Sequence, residues 1–99
     1  MTSYFVTRHH GAREWARRRG LGVDVVCEHL DIGRIRPGDR VIGSLPVNLA
    51  ADVCARGGRY LHLGIDLPFE LRGRELTADQ MEARGARVEE YRVTRVGSP

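Results

Sequence analysis

The chain has 99 residues, of which 41% are hydrophobic and 29% charged, with a net charge of +3. That size fits one domain spanning 1–99, with a modest core covering about 60–65% of the unfolded surface. There is no apolar run long enough for a membrane span and no basic-then-apolar leader, so a cytoplasmic protein is expected.

All 16 basic residues are arginine. A GC-rich genome explains the bias, but the chemistry holds regardless: guanidinium groups grip phosphates in a fixed bidentate geometry. The excess is too small to coat duplex nucleic acid. It suits a small anionic ligand, with the charge doubled if the chain forms the homodimer that its small core favours. Cys27 and Cys54 form no C-x-x-C pair, so reduced, buried thiols are expected. The four histidines, His9, His10, His29 and His62, lack helical metal-ligand spacing, and no metal or cofactor is expected.

In chain order, a short strand at 3–7 comes first, rich in aromatic and β-branched residues at Tyr4, Phe5 and Val6. The polar stretch Thr7-Arg8-His9-His10 follows, then Gly11, and a helix over 12–19 with Ala12, Trp15 and Ala16 on one face. Glu14 stands four residues before Arg18, a favourable ion pair. Gly20 and Gly22 end that helix. A second strand covers 23–28. Arg36-Pro37-Gly38-Asp39 has the chemistry of a turn.

The third strand is 40–44. A helix starts near Pro46 to Asn48 and runs to Arg56, with Leu49, Ala50, Val53 and Cys54 as its apolar stripe. The fourth strand is 59–65, and 66–75 is a loop. Thr77 and Gln80 form a capping box for a third helix that stops at Gly85, with Leu76 placed to staple onto Met81. The last strand, 87–96, carries charge on both faces, as an edge or dimer-facing strand does. The order β-α-β-β-α-β-α-β predicts an α/β fold with a largely parallel sheet of about five strands and three helices.

If strands one, three and four are neighbours, three loops meet at one sheet edge. The first holds Thr7, Arg8, His9, His10 and Gly11, reading as a phosphate clamp beside a proton-transfer group or as an exposed polar turn. The second holds Ser44, Leu45, Pro46 and Asn48 at a helix N-terminus, where an anion is favoured. Asn48 can read a base edge or hold a ribose hydroxyl, or Ser44 or Asn48 merely caps the helix. The third holds Asp66 and Arg72, a covering loop or a plain surface loop. His62 and His29 read as sheet histidines. Strand–Arg–His–Gly also opens the histidine-phosphatase family, but an extra residue intervenes here and the chain is short for that fold.

Phe5-Val6-Thr7-Arg8-His9, Gly11-Ala12 and Glu14-Trp15 resemble the opening of the short Csx-type accessory proteins of type III CRISPR systems. The likeness continues through Asp31, Gly38-Asp39, Val41-Ile42-Gly43, Leu45 to Ala50, Asp66-Leu67-Pro68, Arg72-Gly73 and Glu75-Leu76. His10 departs from the family, which more often has proline or a small residue there. The resemblance implies a Rossmann-like, CARF-related domain that pairs into a two-fold pocket for cyclic oligoadenylate. It also implies ring-nuclease activity on that messenger, most of all on cyclic tetra-adenylate, by metal-independent attack of the ribose 2′-hydroxyl. Arg8, His9 and Asn48 would then be catalytic, with Thr7, His10, Gly11, Ser44, Leu45, Pro46, Asp66 and Arg72 binding the ligand. Sequestration of the messenger without cleavage is the alternative.

Overall fold

A computed structural model describes residues 1–98. Five strands, β1 (Ser3–Val6), β2 (Val25–Cys27), β3 (Arg40–Gly43), β4 (Arg59–Gly64) and β5 (Arg87–Tyr91), form one sheet in the order β2-β1-β3-β4-β5. The first four are parallel, and β5 runs antiparallel to β4. The helices are α1 (His10–Arg18), α2 (Val47–Ala55) and α3 (Ala78–Ala83), with short 3-10 turns at Ile32–Arg34 and Phe69–Leu71.

Side-chain alternation along the strands builds two cores. Phe5 of β1 and Ile42 of β3 face α1 and α3, packing with Trp15, Ala16, Leu76 and Met81. Tyr4, Val41 and Tyr60 face the other way, against Ala50 and Val53 of α2 and the buried Ile35. The α1 stripe of Ala12, Trp15 and Ala16 is buried as its spacing requires. All three helices stop alike: Gly20, Gly57 and Gly85 adopt positive φ, and the next N–H reaches back to the carbonyls of Ala16, Val53 and Met81. The Thr77–Gln80 capping box is formed in both directions. Asp39 N–H donates to the Arg36 carbonyl across Pro37-Gly38, and Gly38 has φ 88°, which makes the predicted turn type II.

Three elements differ in their bounds from the sequence reading. α1 begins at His10 rather than Ala12, so His10 and Gly11 belong to its first turn. β5 ends at Tyr91 rather than Val96, because Tyr91 already pairs with Tyr60 near the start of β4 and the chain then outruns its partner. β2 is also short: Asp24 turns its carboxylate onto the Ser3 N–H, and Val23 is bonded locally to Leu21. Cys27 and Cys54 are free thiols, half buried. Burial pushes the Cys27 thiol up, and Arg34 offsets this in part. Among the described residues, no helix is long and apolar enough to cross a membrane.

Candidate functional site

The strand order reverses its direction of growth at β1 and β3: α1 leaves β1 on one face of the sheet and α2 leaves β3 on the other. Neighbouring connections therefore diverge and open a crevice beyond the strands' carboxyl ends. A cleft of about 500 Å³ lies there. That volume suits a drug-sized ligand.

The β1 end supplies one wall. Thr7 N–H donates to the Cys27 carbonyl at 2.9 Å, holding the chain beside β2 for one residue past the strand. The Thr7 hydroxyl then accepts the His9 N–H at 3.1 Å, a local turn that brings Arg8 and His9 onto the cleft. His9 is the N-cap residue of α1 in extended conformation, and its side chain caps nothing. Its Nδ1 is sealed from solvent and has no hydrogen-bond partner. Such an orphaned polar atom costs about 1–3 kcal/mol. Arg8 is exposed and makes no ion pair among the described residues.

The β3 end supplies the facing wall with Ser44, Leu45 and Pro46. The Ser44 hydroxyl donates to the Leu63 carbonyl at 2.6 Å, so it ties β3 to β4 instead of capping α2. Pro46 is the N-cap position of α2 and offers no side-chain bond. Both helices that start at the cleft, α1 and α2, thus lack a side-chain cap. Leu49 and Leu63 give the cleft an apolar floor.

Six of the residues singled out in the sequence line this one cleft: Thr7, Arg8, His9, Ser44, Leu45 and Pro46. The other five do not. His10 turns the opposite way, its side chain 89% exposed and its Nε2 3.4 Å from Glu75. Gly11 lies where α1 crosses the segment leading into α3: a Cβ there would overlap the Leu76 carbonyl oxygen and come within 2.7 Å of Thr77 backbone. Asn48 is exposed on the first turn of α2, outside the lining. Asp66 faces Arg87 at 3.5 Å, and its N–H donates to the Arg84 carbonyl. Arg72 follows the Phe69–Leu71 turn, exposed and away from the cleft. The loop after β4 misses the site because Leu67 packs into the α1–α3 core, drawing the chain to that face.

The place expected for that loop is taken by the end of β2, which brings Glu28, His29 and Leu30 to the cleft. Read as a sheet histidine, His29 instead stands exposed beyond the strand. The signal that finds it is topological. In a parallel sheet the chain after every strand emerges at the same edge, and β2 pairs with β1. His62 is a sheet histidine as expected, its Nδ1 2.7 Å from the Tyr60 hydroxyl.

A doubly wound sheet with an arginine–histidine cleft at its switch point defines a small Rossmann-like α/β domain. Residues 4–94 match the family described as "Putative CRISPR-associated protein (Cas_VVA1548)", and the chain belongs to that family. No curated protein and no solved structure matches it.

Proposed function

We propose that this protein is a metal-independent ring nuclease that binds and opens cyclic oligoadenylate, cyclic tetra-adenylate foremost, and so ends type III CRISPR antiviral signalling. One observation carries the reading. His9, with an orphaned buried ring nitrogen, stands beside the unpaired Arg8 in a cleft edged by the uncapped N-terminus of α2. A ring left without a partner on Nδ1 is not locked into a structural hydrogen bond, which leaves Nε2 for a ligand or a reaction. Free N–H groups and unpaired guanidinium groups both favour a phosphate. Membership of a CRISPR-associated family supports the CRISPR setting, and the motif likeness to Csx-type accessory proteins is what points to the messenger.

In this reading Arg8 neutralises the non-bridging phosphate oxygens as charge develops on them. His9 transfers a proton through Nε2, since Nδ1 is sealed from solvent. Thr7 and Ser44 orient ribose or phosphate. Asn48, at the start of α2, holds a ligand that extends beyond the cleft. A ring of four nucleotides exceeds about 500 Å³, so two copies of the chain share it about a two-fold axis, each gripping one side.

The test is incubation of excess protein with labelled cyclic tetra-adenylate in EDTA. Linear product is the expected result, and its absence sinks the enzyme reading. His9→Ala should slow opening by about 10²–10⁴-fold while binding persists. Tight binding by a wild type that never cuts would favour sequestration.

A further inference from the structure

We infer that His29 is a second proton-transfer residue of the cleft, acting with His9 on a phosphodiester that carries a free 2′-hydroxyl. The inference rests on the ring-nuclease reading and adds a residue to it.

The four histidines divide by their surroundings. His62 is held by the Tyr60 hydroxyl, and His10 faces Glu75. His9 and His29 have no protein partner for either ring nitrogen among the described residues, and these two line the cleft. Their shared place on the lining follows from the sheet. Val6 lies beside Cys27 in the β1–β2 register, so the chain leaves both strands at the same level. His9 comes three residues after Val6, and His29 two after Cys27. The other charged groups on the lining are Arg8 and Glu28, each next to one of these histidines in the chain. The β3–α2 wall offers Ser44, Leu45, Pro46 and Leu49, with no titratable side chain. Proton transfer in this cleft therefore falls to the β1 and β2 ends.

Opening a ribonucleotide ring by 2′-hydroxyl attack is served by two such groups, a base and an acid. The 2′-oxygen attacks phosphorus in line with the departing 5′-oxygen, so the proton lost and the proton gained lie on opposite sides of the phosphorus. One imidazole takes the 2′-hydroxyl proton as the 2′-O–P bond forms. The P–O5′ bond breaks, and the other ring, as imidazolium, protonates the 5′-oxygen. The products are a 2′,3′-cyclic phosphate end and a 5′-hydroxyl end. No water is consumed, and the two rings have exchanged protonation states, which solvent resets. Imidazole suits both roles near neutral pH.

The experiment follows kcat, KM and pH dependence of cyclic tetra-adenylate opening in EDTA for wild type, His29→Gln and His29→Gly. Circular dichroism checks folding, which is expected intact because His29 is exposed. The expected result is a kcat lowered at least about 100-fold in His29→Gln, with little change in KM. One limb of the bell-shaped pH profile should vanish with it. Added imidazole should restore part of the rate to His29→Gly, and a ring of 2′-deoxyadenylate should stay uncut by wild type. If wild type opens the ring and His29→Gln does so at the same rate with both limbs, the assignment of His29 is overturned and the nuclease reading stands. A wild type that opens no ring overturns both.

Discussion

The Tyr60 hydroxyl accepts the Leu45 N–H at 2.9 Å, fastening the loop that walls the cleft to a strand beneath it. The same oxygen is 3.1 Å from the Gly43 carbonyl and 2.7 Å from His62 Nδ1. A phenol has one proton to give and two lone pairs. All three contacts are satisfied when Tyr60 donates to Gly43 and accepts from Leu45 N–H and from a proton on His62 Nδ1. Burial pushes the phenol's pKa up, only partly offset by the Leu45 bond. Tyr60→Phe leaves the Leu45 N–H without its partner, a loss of about 1–3 kcal/mol. Each kcal/mol lowers Tm by about 4–8 °C in a domain of this size. Ligand affinity should fall too, because Leu45 lines the cleft. An unchanged melting curve would contradict this role.

Arg8→Gln separates binding from folding. Arg8 is exposed and unpaired, so stability should move by no more than about 0.5 kcal/mol. Loss of a charged hydrogen bond to phosphate should weaken binding by about 1.5–3 kcal/mol, or roughly 10- to 150-fold in Kd. Calorimetry with cyclic tetra-adenylate and a thermal melt of the same sample settle it; equal affinity of the two proteins removes Arg8 from the site.

Gly11→Ala tests whether that glycine serves the ligand or the fold. The added methyl meets backbone of Leu76 and Thr77, which cannot turn aside as a side chain would. Destabilisation of about 1–3 kcal/mol is expected from this overpacking. Denaturant unfolding measures it, and a variant as stable as wild type would show that α1 and the approach to α3 can separate freely.

Asp39 makes the fold acid-sensitive. Its buried carboxylate accepts the Thr2 N–H at 2.9 Å and the Arg36 N–H at 3.0 Å. These bonds, Thr2 first, hold its pKa below the ordinary value of 3.8. A carboxyl lowered in the folded state stabilises above the unfolded-state pKa, and that contribution is lost as pH falls through the folded-state value. Asp39→Asn should therefore lower Tm at pH 7 and narrow the Tm difference between pH 7 and pH 3. Melts that fall in parallel across that range would argue against it.

Much of the architecture was legible because its signals are local. Gly20, Gly57 and Gly85 mark the helix ends by the conformation that glycine tolerates. Thr77 and Gln80 cap α3 through groups three residues apart. Ala12, Trp15 and Ala16 give the buried face of α1 by spacing alone. Glu14 pairs with Arg18 as its spacing requires, and also with Arg17, whose hydrogen bond is the largest cause holding the Glu14 carboxyl at about 2.

The sequence by itself thus determined the elements, their order and the place of Thr7–His9 at a strand end, where they line the cleft. Only the tertiary structure decided which loops share that site. Strand order put β2 beside β1, which delivered His29 and Glu28 to the cleft. Packing of Leu67 drew Asp66 and Arg72 away from it. Starting α1 at His10 placed that side chain on the helix, opposite Glu75, while His9 stayed in extended chain at the rim. Adjacent residues diverge there because a helix turns its side chains about 100° per residue, whereas an extended chain alternates them. Such choices rest on contacts between segments far apart in the chain, which no local pattern encodes.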